Sequence, residues 1–587
     1  MKLKLRLTVL VSAAVAIALA FGFLAAPAQT ARAADASTLN VAFSQEPDSL
    51  NGYYSQMAFA QWAIFLLQAN LWDYDDKLGA VPVLAKEVPS GANGGISKDG
   101  KTLTIKLKDG LKWSDGQPLD AHDVAFTMQM CMDKANNFLQ CATQLDQVTS
   151  VKEVDKTTVS VTTKDPQYPE NIFGVIGYFY PLPAHIYEPI YKGAKTSPAT
   201  AAATPEGTAA AAPPGLLEQA DENQNPTAFS GAYTLKEWKR GESLTFSANP
   251  NYVLGKPKIS TVVIKIFPDA QSSYAAFASG QVDFIPNLQP ADTKTISGLV
   301  KDPKSVTFFS IYGSYMEALW FNLFKDGTGP KAGNAALQDP IVRHAIELGI
   351  DRKGMTKDLL FDLVPPAETF FSGSPFEDKA VKLVDYNPDK ANKMLDDAGY
   401  KLGSDGVRAK GNVRLELTYA TTKNATRQKN QAYIQQNLQK IGVKVNLVSY
   451  DATTFFNPYT AGGIVTTGQA DINEFANNGA TTNPVLGRQF ACDQVISDKN
   501  PGGQNQVGYC NPDFDKLELK SEDATDAKGG LDAAHQMQTI FVKDLPIIPL
   551  YARADIYAYQ TDRFVKTPKV GAGVTNQWFD IVNWELK

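Results

Sequence analysis

Few side chains stand at spacings that could do chemistry. Cys131 lies close to Cys141 and Cys492 close to Cys510, while His122, His185, His344 and His535 are scattered singly. These spacings do not supply the ligands of a zinc knuckle, so each histidine reads as a capping or packing residue. A nucleophile elbow, a paired-histidine helix, a phosphate loop and a dinucleotide fingerprint are all missing from the sequence. The nearest approach, Gly327-Thr328-Gly329-Pro330-Lys331-Ala332-Gly333, misses the dinucleotide spacing and reads as a loop. The many Asp and Glu residues could contain a glycosidase pair, whose separation a sequence does not give. A secreted hydrolase is therefore kept as the remote alternative. The expectation is a non-enzyme without a cofactor or metal.

The amino terminus sets the compartment. Lys2, Lys4 and Arg6 precede an uncharged run from Leu7 to Ala26, and small-residue steps follow at Ala26-Pro27-Ala28 and Ala31-Arg32-Ala33. This is the pattern of a secretory signal over residues 1–33. The run is longer than a usual signal core, so an uncleaved anchor is the alternative, and on either reading the rest is periplasmic or extracellular. No Cys follows the run to take a lipid. In an oxidising compartment, two close pairs favour bridges Cys131–Cys141 and Cys492–Cys510 among the three connectivities; four buried free thiols are the alternative.

The positioning elements are those of a large α/β protein. The chain has 587 residues, enough for about three or four domains. Apolar residues make up 44% and charged residues 20%, which excludes a polytopic membrane protein, a collagen and a wholly disordered chain. The net charge is −6, and the basic residues before Ala34 lie in an acid-free segment, so the exported part is more acidic still. Nucleic acid and anionic lipid are thereby excluded as electrostatic partners, leaving neutral or cationic ones. Alternation marks strands at 103–107, 158–161, 262–267, 415–417 and 443–448. Capping residues open helices at Asp120, at Asp339-Pro340 and at Asn387-Pro388, the last stopping at Gly399. Residues 194–215, rich in Ala, Thr and Pro, have no core-forming period and read as a flexible loop or insertion.

Residues 99–127, DGKTLTIKLKDGLKWSDGQPLDAHDVAFT, closely resemble the signature of family 5 extracellular solute-binding proteins, the dipeptide, oligopeptide and nickel receptors of ABC importers. Segments 71–88, 229–284, 339–355, 387–400, 438–447 and 545–551 follow in the family's order. Each also has a structural reading: Gly110 and Gly116 suit turns, Trp113 packs, and Asp120 caps. The resemblance implies a bilobed periplasmic-binding-protein fold (class II, cluster C type) with an extra third domain. Lobe I would use 36–80, 225–308 and 546–587, the extra domain 81–224, and lobe II 309–545. It also implies a monomer that captures a peptide or peptide-sized solute by hinge closure and passes it to a membrane permease. A receptor for an oligosaccharide or other polar solute is the alternative on the same scaffold.

In peptide-binding relatives an Asp in the second lobe holds the peptide ammonium. The matching stretch here is DINEFANNGATTNP, 471–484, which places Asn477 at the family's Trp position and Ala480 at the Asp position. A buried ammonium needs acceptors that Ala cannot supply, so a free amino terminus is expected to contribute little unless Glu474 replaces the charge. Asn473, Asn477 and Asn478 offer amide donors and acceptors, with an Asn-rich turn as the plainer reading. Pocket walls also need aromatics. The candidates are Tyr53, Tyr54, Tyr178, Tyr180 and Trp320, the last with Asn322 beside it. Segment 502–517 would close over the cleft, with Asn505 and Tyr509 pinned by the Cys492–Cys510 bridge.

Overall fold

The computed structural model describes residues 37–55, 57–136, 138, 141, 145, 147–165, 179–196, 215–480, 484–522, 524, 527–572 and 577–587. The expected signal segment 1–33, Tyr178 and most of the insertion 194–215 lie outside the described residues; the first three residues of that insertion instead end a helix, Ala184–Thr196.

Helices begin where the capping residues stand. Asp120 accepts from the His122 N–H while Asp123 accepts from the Asp120 N–H, a reciprocal cap on Ala121–Met132. Asp339 opens Pro340–Leu348 and Asn387 opens Pro388–Asp397, each with Pro in the first turn, where its missing N–H has no partner to lose. Gly399, at φ 87°, takes the left-handed turn just past the second of these. The alternating segments become strands Thr102–Lys106, Thr158–Thr163, Thr261–Ile266, Glu416–Thr422 and Lys444–Tyr450. Trp113 is fully buried, and its indole N–H donates to Asp123 Oδ2.

One ten-stranded sheet runs through the molecule. At its middle, Val306–Phe321 and Ile547–Gln560 lie antiparallel, the longest of the described strands. On one side follow Phe284–Leu288, Thr38–Phe43, Thr261–Ile266, Ser243–Ala248 and Tyr233–Lys239; on the other, Ile472–Asn478, Glu416–Thr422 and Lys444–Tyr450. Thr38–Phe43 and Glu416–Thr422 are each parallel to both neighbours, which requires crossover connections, and helices supply them. A separate antiparallel sheet of Thr102–Lys106, Thr158–Thr163 and Val148–Asp155 carries the Ala121–Met132 helix.

Two large cores share the long sheet. The first contains Val41, Phe43, Trp62, Phe246, Phe284 and Tyr557, and continues without a break into the small sheet through Leu103, Val124 and Val159. The second contains Leu319, Trp320, Tyr419, Ile434, Phe475 and Phe490. A smaller cluster of Tyr274, Phe277, Ile285 and Ile556 covers the other face of the first lobe's strands. The change of core falls inside the two long strands: Phe309 and Ile311 pack on the first core and Met316 on the second, while Ala552 belongs to the second and Tyr557 to the first. The expected lobe limits, 308/309 and 545/546, stand near the strand starts instead. Sequence marks where a strand begins, whereas the change of packing partner along it is a tertiary event. The result is the bilobed α/β arrangement. Among the described residues, no helix is long and apolar enough to cross a membrane.

Candidate functional site at the lobe junction

Side chains alternate along a strand, so Tyr551, Arg553, Asp555 and Tyr557 share one face. Tyr551 is buried on the second core, where its hydroxyl accepts from Asn430 Nδ2 at 3.1 Å. Tyr557 is buried on the first, stacked on Phe309 with ring centroids 5.1 Å apart. Arg553 and Asp555 occupy the two positions between, and the Arg553 side chain is 44% exposed. Opposite them the ladder slips. Tyr312 pairs with Ala554 and Met316 with Ala552, so three residues of one strand face a single residue, Arg553, of the other. Gly313 is required in that bulge, because a Cβ there would stand 2.5 Å from the Arg553 carbonyl oxygen. Tyr315 is 42% exposed beside its cross-strand partner Asn478, which is also exposed. The sheet is thus open to solvent between two closed cores.

The electrostatics of this region are uneven. Glu317 is fully enclosed and accepts from Arg427 Nε at 2.7 Å and from Arg553 Nε and Nη2 at 2.9 and 2.6 Å. One buried carboxylate thereby faces two guanidinium groups, which offsets its desolvation. Glu474 accepts from the Tyr419 hydroxyl at 2.5 Å and from Asn430 Nδ2 at 2.8 Å; burial, with the nearby Glu317 charge, pushes its carboxyl up. Burial alone pushes the Asp555 carboxyl up to about 7, and its enclosed Oδ2 accepts no hydrogen bond from the described residues.

Of the residues expected to meet a solute, Asn477 and Asn478 reach the junction; Asn477 Oδ1 accepts from the Asn478 N–H. Tyr54 is half-buried against Phe138, ring centroids 4.8 Å apart in an edge contact. Trp320, Asn322, Glu474, Asn505 and Tyr509 are all buried. Trp320 stacks on Phe475 at 4.4 Å and donates to the Phe475 carbonyl. Asn322 donates to Lys331 O and Gly468 O and accepts from the Phe324 N–H. Asn505 donates to Ala491 O and Tyr509 O, holding the loop, and Tyr509 donates to Asp544. These five are buried within lobe II and are held there by contacts of the chain itself. Tyr53 and Tyr180 are a buried stacked pair, the Tyr53 hydroxyl donating to Tyr180 O. Ala480 is enclosed, with its N–H donating to Phe370 O, and supplies no carboxylate. Asn473 is buried, and its Oδ1 accepts no hydrogen bond from the described residues.

Arg553, Asp555 and Glu317 escaped the sequence reading. A signal was present in Tyr551-Ala552-Arg553-Ala554-Asp555-Ile556-Tyr557, where opposite charges two apart interrupt an otherwise apolar strand. Both expected disulfides are formed, Cys131–Cys141 and Cys492–Cys510. His122 faces Glu153 and Glu188, His185 faces Asp115, and His344 meets the Lys543 carbonyl, so these three serve local pairing. Among the described residues, no group of three or more His, Cys, Asp or Glu could hold a metal ion.

The profile of the bacterial extracellular solute-binding proteins, family 5, middle region, matches residues 79–486. The oligopeptide-binding protein AppA of Bacillus subtilis (strain 168) is 26% identical over 515 residues, covering 86% of this chain and 84% of the relative. The nickel-binding periplasmic protein of Escherichia coli (strain K12) is 25% identical over 446 residues, 74% of this chain and 75% of the relative. The structure of Bacillus subtilis AppA in complex with a nonapeptide superposes with a TM-score of 0.60 at 22% identity, covering 94% of this chain and 99% of that one, a likeness of fold. With the match spanning most of the chain, this chain belongs to the bacterial extracellular solute-binding proteins of family 5.

Proposed function

We propose that the protein is an extracytoplasmic receptor that captures a peptide or peptide-sized solute between its lobes and delivers it to an ABC importer, without turning it over. The observation that carries this reading is the similarity to an oligopeptide-binding protein over 515 residues, 86% of this chain. Two lobes joined by long strands can close about the junction, and the bulge at Gly313 to Tyr315 interrupts the ladder there. Closure buries the solute and presents a changed surface to the permease. Asn477, Asn478 and Tyr315 are the proposed polar and aromatic contacts on the second lobe, with Tyr54 on the first. Export by the amino-terminal segment places the receptor outside the cytoplasm, acting as a monomer.

Native mass spectrometry of freshly purified protein tests the reading, because a closed receptor retains its solute. A bound peptide supports it. A bound oligosaccharide would keep the receptor and replace the ligand, and release of hydrolysis products from added peptides or glycosides would refute the receptor assignment.

A further inference from the structure

The carboxylates near the junction are not treated alike. Glu317 is met by two arginines and Glu474 by a tyrosine and an asparagine. Asp283, buried at the foot of the first lobe, is met by Arg563 at 2.8 Å. Asp555 differs: its register partner is Ile311, its neighbour on the same face is the aromatic Tyr557, and its Oδ2 is shut from solvent without a donor. Arg553, two residues away on that face, is turned to Glu317 through Nε and Nη2. A protonated Asp555 would need an acceptor and an ionised one a donor or a cation; the described residues supply neither to that oxygen.

We propose that Asp555 is the cation-recognising residue of the solute site between the lobes. A protonated amine or guanidinium of the solute pairs with its carboxylate, while the outward edge of the Arg553 guanidinium meets a carbonyl or carboxylate of the same solute. The proposal rests on the receptor reading above and narrows it to cationic or zwitterionic solutes, peptides among them. It also moves the expected acidic anchor from the second lobe, where Ala480 is enclosed, to the strand that joins the lobes. A solute held there touches the segment whose two ends belong to different cores, so its binding energy can favour one arrangement of the lobes over another. Ion pairing in a site shielded from water is also worth more than on an open surface.

The test uses the exported chain, freed of bound solute by unfolding and refolding, and a Lys-C digest of casein as the probe. Retained peptides are identified by mass spectrometry after gel filtration. The wild type is expected to retain peptides bearing a free amine or guanidinium, and acetylating the amines of the digest should lower retention of its arginine-free peptides at least about tenfold. Asp555→Asn should lower retention of the untreated digest by a similar factor and be indifferent to acetylation. Equal retention of acetylated and untreated arginine-free peptides by the wild type, or undiminished retention by a folded Asp555→Asn, would overturn the proposal and leave the peptide receptor standing. Retention of no peptide in either form would overturn the peptide reading itself, and the proposal with it. The acetylation arm uses the wild type alone and so decides the matter even if the variant does not fold.

Discussion

Replacing Asp555 by Asn should stabilise the solute-free protein, and by an amount that grows with pH. An unperturbed aspartate titrates near pH 4, whereas burial holds Asp555 at about 7. In the folded state the proton is held more tightly than in the unfolded chain. Stability from this group is therefore complete below about pH 4, falls as pH rises, and has been lost once pH passes 7. The difference of roughly three pH units, at about 1.4 kcal/mol each, bounds the penalty near 4 kcal/mol. The residue keeps some contact with solvent, which screens the charge, so about 2 kcal/mol is the lower expectation. Asn has the shape of the neutral acid and pays none of this. Thermal and urea unfolding of both proteins, stripped of solute, should coincide near pH 4 and separate by pH 8, with the variant melting a few degrees higher. A variant that matches the wild type at pH 8, or melts below it, would show that Asp555 already has a counter-charge within the protein and would refute the reasoning.

Three further outcomes are expected. Glu317→Gln strands the Arg427 and Arg553 guanidinium groups and should cost about 3–5 kcal/mol in urea unfolding, as breaking a buried ion pair from one side does; a loss below about 1 kcal/mol would contradict the network. Trp320→Ala should cost about 3–5 kcal/mol through the cavity left between Phe475 and Phe490, with Trp320→Phe much milder, and an unchanged midpoint for the Ala variant would mean that the indole is not a core residue. Removing residues 198–212 should leave the melting temperature and any measured solute affinity essentially unchanged, because that stretch has no apolar period with which to join a core; loss of cooperative melting would refute this.

Local chemistry was legible in the residue order. Caps at Asp120, Asp339 and Asn387, the stop at Gly399 and the alternating strands follow from backbone hydrogen-bonding and side-chain period, which act over a few residues and leave local marks. The two disulfides were legible for a related reason: their partners are near in sequence, so local connectivity was favoured from the start. Family membership was readable from segment order.

The site was not. Trp320, Asn322, Glu474, Asn505 and Tyr509 have the composition of a binding pocket, yet their burial and hydrogen bonds are decided by chain segments up to about 150 residues away, such as Phe475 for Trp320 and Gly468 for Asn322. Conversely, the charges of Arg553 and Asp555 mark an otherwise apolar strand, but only the packing of Tyr551 and Tyr557 into two distant cores sets these two residues at the change from one core to the other. Residue order decided what each element could be, through short-range dihedral and capping energetics. Which polar groups are answered within the chain, and which are left for a solute, is set by desolvation and long-range pairing, and these exist only once the lobes have assembled.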